Sequence, residues 1–555
     1  MAQDGDKRDG DKAASVSRRG FLARGAAAGV GATAIATAGS QEAEAQSRWA
    51  RTTDVLVIGA GVSGLPAAIE ARDAGASVIV IDANHDIGGR GILSGGRIHL
   101  GGGHALQKKL NIKDTPDDVF NDWVRDDNAE ARYSDRDLVR VFADENVPTY
   151  DFLIANGVKM IEKLVGPEAA SKVPRTFLSV EWENPAELIA PKRNRNGSGI
   201  VRQLALVARQ KGAEILLKHR MTKIIRDPNN GRRVLGVTVT AEGKSFNIRA
   251  RKGVIIATGG HTGNVEFRRM FDPRLTEEYQ QACQPWVNQD ASGEIAAMEH
   301  GAALWSTANQ TAEAGAAITK TRHIGCQWGY STLVYELESP MFKFARALGL
   351  TVKDWQNVVM VKEDGKRFWN ELSGDYDFFA AAMSWTGDPG KLNGGGPIWA
   401  IFDSEAVKRE KWNTAPPNTD PLYFFSADTL PELAAKIKNP YQRRPMPGDA
   451  LAATITRFNG FVDGGKDADF NRPKPVHKIA TPPFHAAWST PILHDTLTGL
   501  RTNRNSEVVD MAGKVIDGLY CAGEAQGGFS QHGLARCLVF GRVAGRHAAK
   551  RRAVA

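Results

Sequence analysis

Only four cysteines occur in 555 residues: Cys283, Cys326, Cys521 and Cys537. None forms a CxxC pair and none opens a CxxCH, so the chain carries no attachment motif for a c-type haem and no spacing for a cysteine-held metal cluster. The count also gives no disulfide framework. Long apolar runs are missing, which argues against a membrane-spanning helix. There is no internal repeat and no coiled-coil heptad. The net charge is +8, but the cations are scattered rather than massed as in a nucleic-acid-binding surface. Their one dense cluster, Arg542, Arg546, Lys550, Arg551 and Arg552, reads as a solvated helix end, where positive charge is favourable. The chain is too long for one hydrophobic core, and two or three folding units are expected.

The first 45 residues read as an address. Arg18 and Arg19 form a twin-arginine pair followed by Phe21 and Leu22, then a weakly apolar run to Ala38 and the small-x-small triplet Ala43-Glu44-Ala45. The run is too short and too poor in large apolar residues to act as a stable anchor. It resembles a Tat export signal, which implies export by the Tat translocase, already folded, to the periplasm.

Glycine is abundant, 57 residues, and it clusters in motifs. TTDVLVIGAGVSGLPAAIEARDAGASVIVIDAN begins at Thr52. Val55–Ile58 reads as a buried strand, Leu65–Ala74 as a helix, and Ser77–Ile81 as a second strand. Between the first two lies GxGxxG. Gly59 makes the tight turn, Gly61 admits a pyrophosphate to the backbone, and Gly64 packs helix on strand, with Ser63 just before it at the helix start. The helix N-terminus faces the phosphate. Asp82, 18 residues beyond Gly64 and followed by Ala83, is placed to hold a ribose hydroxyl. These parts in this order predict a dinucleotide cradle. A second glycine set follows, Gly88-Gly89-Arg90 and Ser94-Gly95-Gly96, and it favours FAD over NAD. Two further strand-to-glycine turns complete the set: KGVIIATGG, with Thr258, Gly259 and Gly260, and GLYCAGE, with Gly523 and Glu524. Cys537 and Leu538, in the last helical stretch, are assigned to the same cofactor site. No second GxGxxG occurs, so a separate nicotinamide site is not expected.

Together with GKRFWNE at Gly365, ITRFNGFVDGGKDADFNRP at Ile455 and PPFHAAW at Pro482, these motifs resemble the fumarate reductase and 3-ketosteroid dehydrogenase superfamily of FAD enzymes. The resemblance covers most of the chain. It implies an α/β fold: a Rossmann-like FAD-binding domain (GR2-type) split by an inserted α+β substrate-capping domain. The expected division is 46–298 for the first FAD-binding part, 299–476 for the cap and 477–555 for the second FAD-binding part. Membrane-bound members attach flavin through a histidine before the second glycine motif. Gly88–Ser94 has none, so FAD should be held non-covalently.

The resemblance also implies chemistry: hydride exchange between flavin N5 and a carbon of an activated C–C bond, with proton exchange at the neighbouring carbon. Several departures bear on the substrate. Fumarate reductases carry a proton-donating arginine eight residues after the arginine of GxRF; here Asp375 stands there, followed by Tyr376. Their substrate-contacting His-x-Thr-Met-Gly-Gly appears as His494-Asp495-Thr496-Leu497-Thr498-Gly499. Their C-terminal arginine motif is shortened to a stretch ending in Ala535-Arg536. Dicarboxylates are usually gripped by bidentate arginines, so a ketone-type, mostly apolar substrate is favoured.

Tyr376 resembles the ketosteroid branch's base, which removes a proton next to the ketone. The family places a substrate-contacting histidine where His494 stands, and it is assigned to a substrate oxygen. His532 is assigned to a substrate carbonyl, and Arg536 to flavin or substrate. His485 reads as core packing, and Trp328, Tyr330 and Tyr335 as cap aromatics. Metal ligands are not expected. Three functions stay open: desaturation of a carbonyl compound or reduction of the matching alkene, reduction of an unsaturated carboxylate, and non-catalytic electron relay. Each needs a separate electron partner, a cytochrome or quinone-linked protein, because the chain encodes no haem or iron–sulfur motif.

Overall fold

The computed structural model describes residues 49–127, 133–167, 171–182, 196–228, 233–272, 274–281, 287–307, 316–319, 323–327, 347–373, 382, 396–531 and 533–554. The export-signal reading, Cys283, Trp328, Tyr330, Tyr335, Tyr376 and His532 lie outside them.

The dinucleotide motif folds as expected: β1 (Trp49–Ile58), α1 (Gly64–Asp73) and β2 (Val78–Asp82). β1 and β2 pair in parallel, Val55 opposite Val78 and Ile58 opposite Ile81. Residues 55–58 and 78–81 are all buried, because both faces of a parallel sheet are covered. Next come the helices α2 (Arg136–Ala155) and α3 (Asn196–Gln210), then β3 (Glu214–Leu217), β4 (Arg220–Arg226), β5 (Val234–Ala241) and β6 (Lys244–Ile256). Further along are β7 (Val359–Lys362), β8 (Ile398–Asp403), β9 (Phe424–Ala427), α4 (Gly448–Gly464), β10 (Phe484–Trp488) and β11 (Ile492–Thr496). β12 (Glu507–Val509), β13 (Val515–Cys521) and α5 (Leu534–Lys550) close the chain.

One sheet runs β12–β13–β6–β1–β2–β3, with the β4–β5 hairpin joined to β6. The chain leaves it after Ile256 and returns through β13, which lies parallel to β6 with Leu519 opposite Val254. α5 then packs on α1 through small residues. A Cβ at Gly541 would collide with the Ser63 carbonyl, and one at Gly545 with the Ala67 carbonyl. This close approach seats the end of the chain against the start of the cradle.

The basic tail is a solvated helix end only in part: Lys550 and Arg552 are exposed, but Arg542, Arg546 and Arg551 are paired. Arg542 is buried, bonds Glu70 at 2.7 Å and lies over the Phe152 ring. Arg546 bonds Glu145 at 2.6 Å, and Arg551 pairs with Asp517. Arg542 and Arg546 fasten α5 to α1 and α2, and Arg551 fastens its C-terminal end to β13.

A second sheet, β7–β8–β10–β9, is antiparallel throughout. Its core sets Trp399 and Trp488, edge to face at 5.5 Å, against Leu451, Ile455 and Phe458 of α4. β10 lies between β8 and β9, so this sheet extends past residue 476. His485, on β10, is a core residue as expected: it stacks on Phe424, and Ser426 Oγ lies 2.6 Å from its Nδ1. Burial pushes its pKa down to about 4.

Beside this sheet, GKRFWNE and DFNRP meet. Glu371 takes both Nε and Nη2 of Arg367, at 3.0 and 2.8 Å, and Nη1 of Arg472 at 3.0 Å. Asp467 accepts Arg367 Nη2 at 2.9 Å. Both guanidinium groups lie about 5.0 Å from the centre of the Phe458 ring. The two motifs therefore share a buried ion network.

Candidate active site

The cradle is built from backbone. Gly59 has φ +113°, and a Cβ there would strike the Ala257 carbonyl, which belongs to the turn after β6. The same contact is tied by Ala257 N–H donating to Ile58 O at 2.8 Å. A Cβ at Gly64 would collide with Gly59 O, so helix and turn are in contact, as the motif requires. At Gly61 the space is open: a Cβ would meet only Gly88 O, at 3.9 Å. Gly89 and Gly95 are open in the same way. α1 starts at Gly64, so its N-terminus lies beside this turn, with Leu65 N–H donating to Gly61 O at 3.1 Å and Ala67 N–H to Ser63 O at 3.3 Å.

The glycine sets lock together. Gly88 N–H donates to Ala60 O at 2.8 Å, and Ser94 Oγ to Gly91 O at 2.9 Å. Gly96, with φ +67°, turns the chain against Asn196 at the start of α3. Gly523, with φ +82°, lies against Ser63, with Cys537 just behind and Leu538 buried. Thr258 and Gly259 lead to Gly260, where a Cβ would collide with Thr496. Asp82 holds the first turn from below, accepting Ala60 N–H at 2.7 Å and Asn84 N–H at 2.8 Å. Burial raises its pKa. Ala83 follows, exposed, at the end of β2.

Side-chain chemistry gathers at one place beside this frame. Arg90 Nη1 donates to Gln289 Oε1 at 2.9 Å and lies 3.3 Å from Glu524 Oε2. Gln289 Nε2 also bonds Glu524, and Thr262 Oγ1 bonds Gln289 Oε1 at 2.6 Å. Arg90 Nη2 lies 3.5 Å from Asp495 Oδ1, and Asp495 Oδ2 lies 2.8 Å from His494 Nδ1. Thr496 Oγ1 reaches the Glu524 carbonyl at 3.1 Å. Burial pushes the Glu524 carboxyl up to about 7; Arg90 opposes this and neighbouring Asp495 adds to it. Six side chains from five segments, Arg90, Thr262, Gln289, His494, Asp495 and Glu524, thus form one connected polar group.

Of the expected substrate-side residues, His494 lies in this group. Arg536 requires a correction. It is buried, and its guanidinium donates to backbone carbonyls: Phe529 at 2.7 Å, Gly523 at 3.1 Å, Thr496 at 3.2 Å and Gln526 at 3.3 Å. It stands two residues inside α5, where it braces the Gly523 turn, β11 and the Gly527-Gly528 loop against one another. Asp495 and Gln289 were not singled out from the sequence. Asp495 carried a signal, since it sits inside the His494 motif. Gln289 lies in QPWVNQD, outside every motif, and carried none.

The open space over Gly61, Gly89 and Gly95, facing a helix N-terminus, suits the pyrophosphate of FAD. The buried polar group next to it offers donors and acceptors for the rest of the molecule. Comparison with known proteins agrees. The chain is 26% identical over 506 residues to a probable fumarate reductase of Shewanella frigidimarina, covering 90% of this chain and 75% of that protein. It is 26% identical over 539 residues to the 4-oxocyclohexanecarboxylate 2-dehydrogenase of Sinomonas cyclohexanicum, covering 85% and 88%. The open conformation of a flavocytochrome c3 fumarate reductase superposes with a TM-score of 0.67 at 25% identity, covering 92% and 81%. A 3-ketosteroid dehydrogenase structure shares the fold at a TM-score of 0.58. The FAD binding domain family matches residues 54–536, from the first strand of the cradle to the brace Arg536, and the chain belongs to that family.

Proposed function

We propose that this flavoprotein acts on a CH–CH bond next to a carbonyl, desaturating a ketone-type substrate or reducing the matching alkene. FAD supplies the hydride acceptor or donor. Gly59–Gly64, Asp82, Gly88–Arg90, Ser94–Gly96, Thr258–Gly260 and Gly523–Glu524 hold it, non-covalently. His494 is proposed to contact the substrate, and the family resemblance adds Tyr376 and His532 as candidates. The observation that carries the ketone reading is the occupation of Arg536. Its Nη1 and Nη2 donate to four backbone carbonyls, which supports a bracing role over a carboxylate clamp. A ketone needs one or two hydrogen bonds to a carbonyl oxygen, not a bidentate grip at each end.

The cap is proposed to run from about residue 299 to the end of β10, and its closure over the cradle to exclude water. The twin-arginine segment is proposed to send the protein to the periplasm, where a cytochrome or quinone-linked protein exchanges electrons with it. Among the described residues no helix is long and apolar enough to cross a membrane. A second reading, reduction of an unsaturated carboxylate, has support in the likeness to a probable fumarate reductase.

One experiment separates the two. The flavin is reduced anaerobically and its absorbance followed on adding cyclic enones or fumarate-like acids. Reoxidation by enones alone is the expected result. Reoxidation by the acids alone replaces the ketone reading with the second.

A further inference from the structure

We propose that His494 and Asp495 form the proton-exchanging dyad of this site. His494 exchanges the proton at the carbon next to the substrate carbonyl, and Asp495 is its positioning residue. The proposal rests on the ketone reading above and assigns to this dyad the step that family resemblance gives to Tyr376.

The two residues are neighbours on β11, and neighbours on a strand point to opposite faces. Yet His494 Nδ1 lies 2.8 Å from Asp495 Oδ2. The bond therefore joins two environments, since the His494 side chain is 27% exposed and that of Asp495 only 5%. Asp495 is held from the buried side as well. Arg90 Nη2 stands 3.5 Å from its Oδ1, with Glu524 and Gln289 completing the ring around that guanidinium. The guanidinium balances the charge of Asp495. The Asp495 carboxylate in turn fixes the proton of His494 on Nδ1, which leaves Nε2 as the nitrogen that takes and returns protons. β11 is itself fastened to the cofactor frame, through Thr496 to the Glu524 carbonyl and through Arg536 to the Thr496 carbonyl.

The step balances without a redox partner. The C–H bond next to the carbonyl breaks, its proton passes to Nε2, and its electron pair moves to the carbonyl oxygen as an enolate. Return of a solvent-derived proton restores the ketone.

The test uses the FAD-loaded enzyme in D2O with 3,3,5,5-tetramethylcyclohexanone. This ketone has exchangeable α-hydrogens but no β-hydrogen to lose, so mass spectrometry reads proton transfer alone. Wild type should incorporate deuterium. His494→Gln should lower that rate about a hundredfold or more, the usual range for a general base. Asp495→Asn should lower it by about tenfold to a hundredfold, with KM and the flavin-to-protein ratio unchanged. Wild-type exchange in either dyad variant, or loss in Tyr376→Phe alone, overturns the dyad. If wild type exchanges none of this ketone, the ketone reading falls and the dyad is read instead from reoxidation of reduced flavin by fumarate. There, slowing in both dyad variants at full flavin content supports the dyad, and wild-type rates overturn it.

Discussion

The cradle and the β7–β10 sheet are held together by opposite means. Around β1, α1 and α5 the contacts are backbone on backbone, and the essential residues are glycines whose Cβ would collide with a carbonyl. Around β7–β10 the contacts are large side chains: two tryptophans, Phe458 of α4 and the ion network of Arg367, Glu371, Asp467 and Arg472. The first kind tolerates no added atom. The second tolerates no lost partner. The difference follows from what each must do, since a phosphate cradle needs N–H groups brought close, whereas a sheet face needs apolar bulk to cover it.

Substitutions can sharpen that contrast. The largest effect is expected from Gly59→Ala. It adds one methyl at φ +113°, against the Ala257 carbonyl, and the purified protein should carry no flavin, read as the ratio of visible to ultraviolet absorbance. A flavin content equal to wild type would show that the turn can yield. Next comes Glu371→Gln, which leaves two buried guanidinium groups without their shared carboxylate. Breaking a buried pair costs about 3–5 kcal/mol, so the midpoint of denaturant unfolding should fall strongly, with FAD still bound to the folded fraction. An unchanged midpoint would mean that Asp467 and the Phe458 ring suffice.

Smaller is Asp82→Ala, which strips the partners from two backbone N–H groups under the cradle. A loss of about 1–3 kcal/mol is expected, seen as weaker retention of FAD after dialysis. A flavin-to-protein ratio equal to wild type would count against both the pinning and the ribose contact.

A last contrast concerns a polar pair inside the cradle half that departs from its style and shows itself only as pH changes. His261 and Glu294 are both fully buried, 3.7 Å apart, and have no hydrogen-bond partner among the described residues. Burial pushes Glu294 up from 4.5 to about 8 and His261 down from 6.5 to about 3. The folded state keeps the Glu294 proton, so the stability linked to it is complete below about pH 4.5 and is lost as pH rises through about 8. For His261 the unfolded chain binds the proton first, so its contribution is complete above about 6.5 and is lost as pH falls toward 3. Glu294→Gln should flatten the alkaline fall in Tm between pH 5 and 8 and leave the acid side unchanged. A wild-type slope in the variant would rule Glu294 out as its source.

Much of this protein was legible before any coordinates. The strand, GxGxxG turn, helix and acid were readable because each is a local backbone requirement, spaced by the geometry of one βαβ unit. The second glycine set and the absence of a histidine before it were readable for the same reason, and so were the core role of His485 and the family. What the fold alone decided depends on residues far apart in the chain. Arg536 read as a ligand contact because an arginine near a site suggests an anion, and only the folded chain brings four carbonyls around it. The tail cations read as solvated because their partners, Glu70 and Glu145, lie some four hundred residues earlier. Asp495, Gln289, Arg90 and Glu524 become one polar group only when four segments converge. Short-range geometry is written in spacing. Charge pairing across hundreds of residues is not, because it depends on where the chain returns rather than on what it is made of.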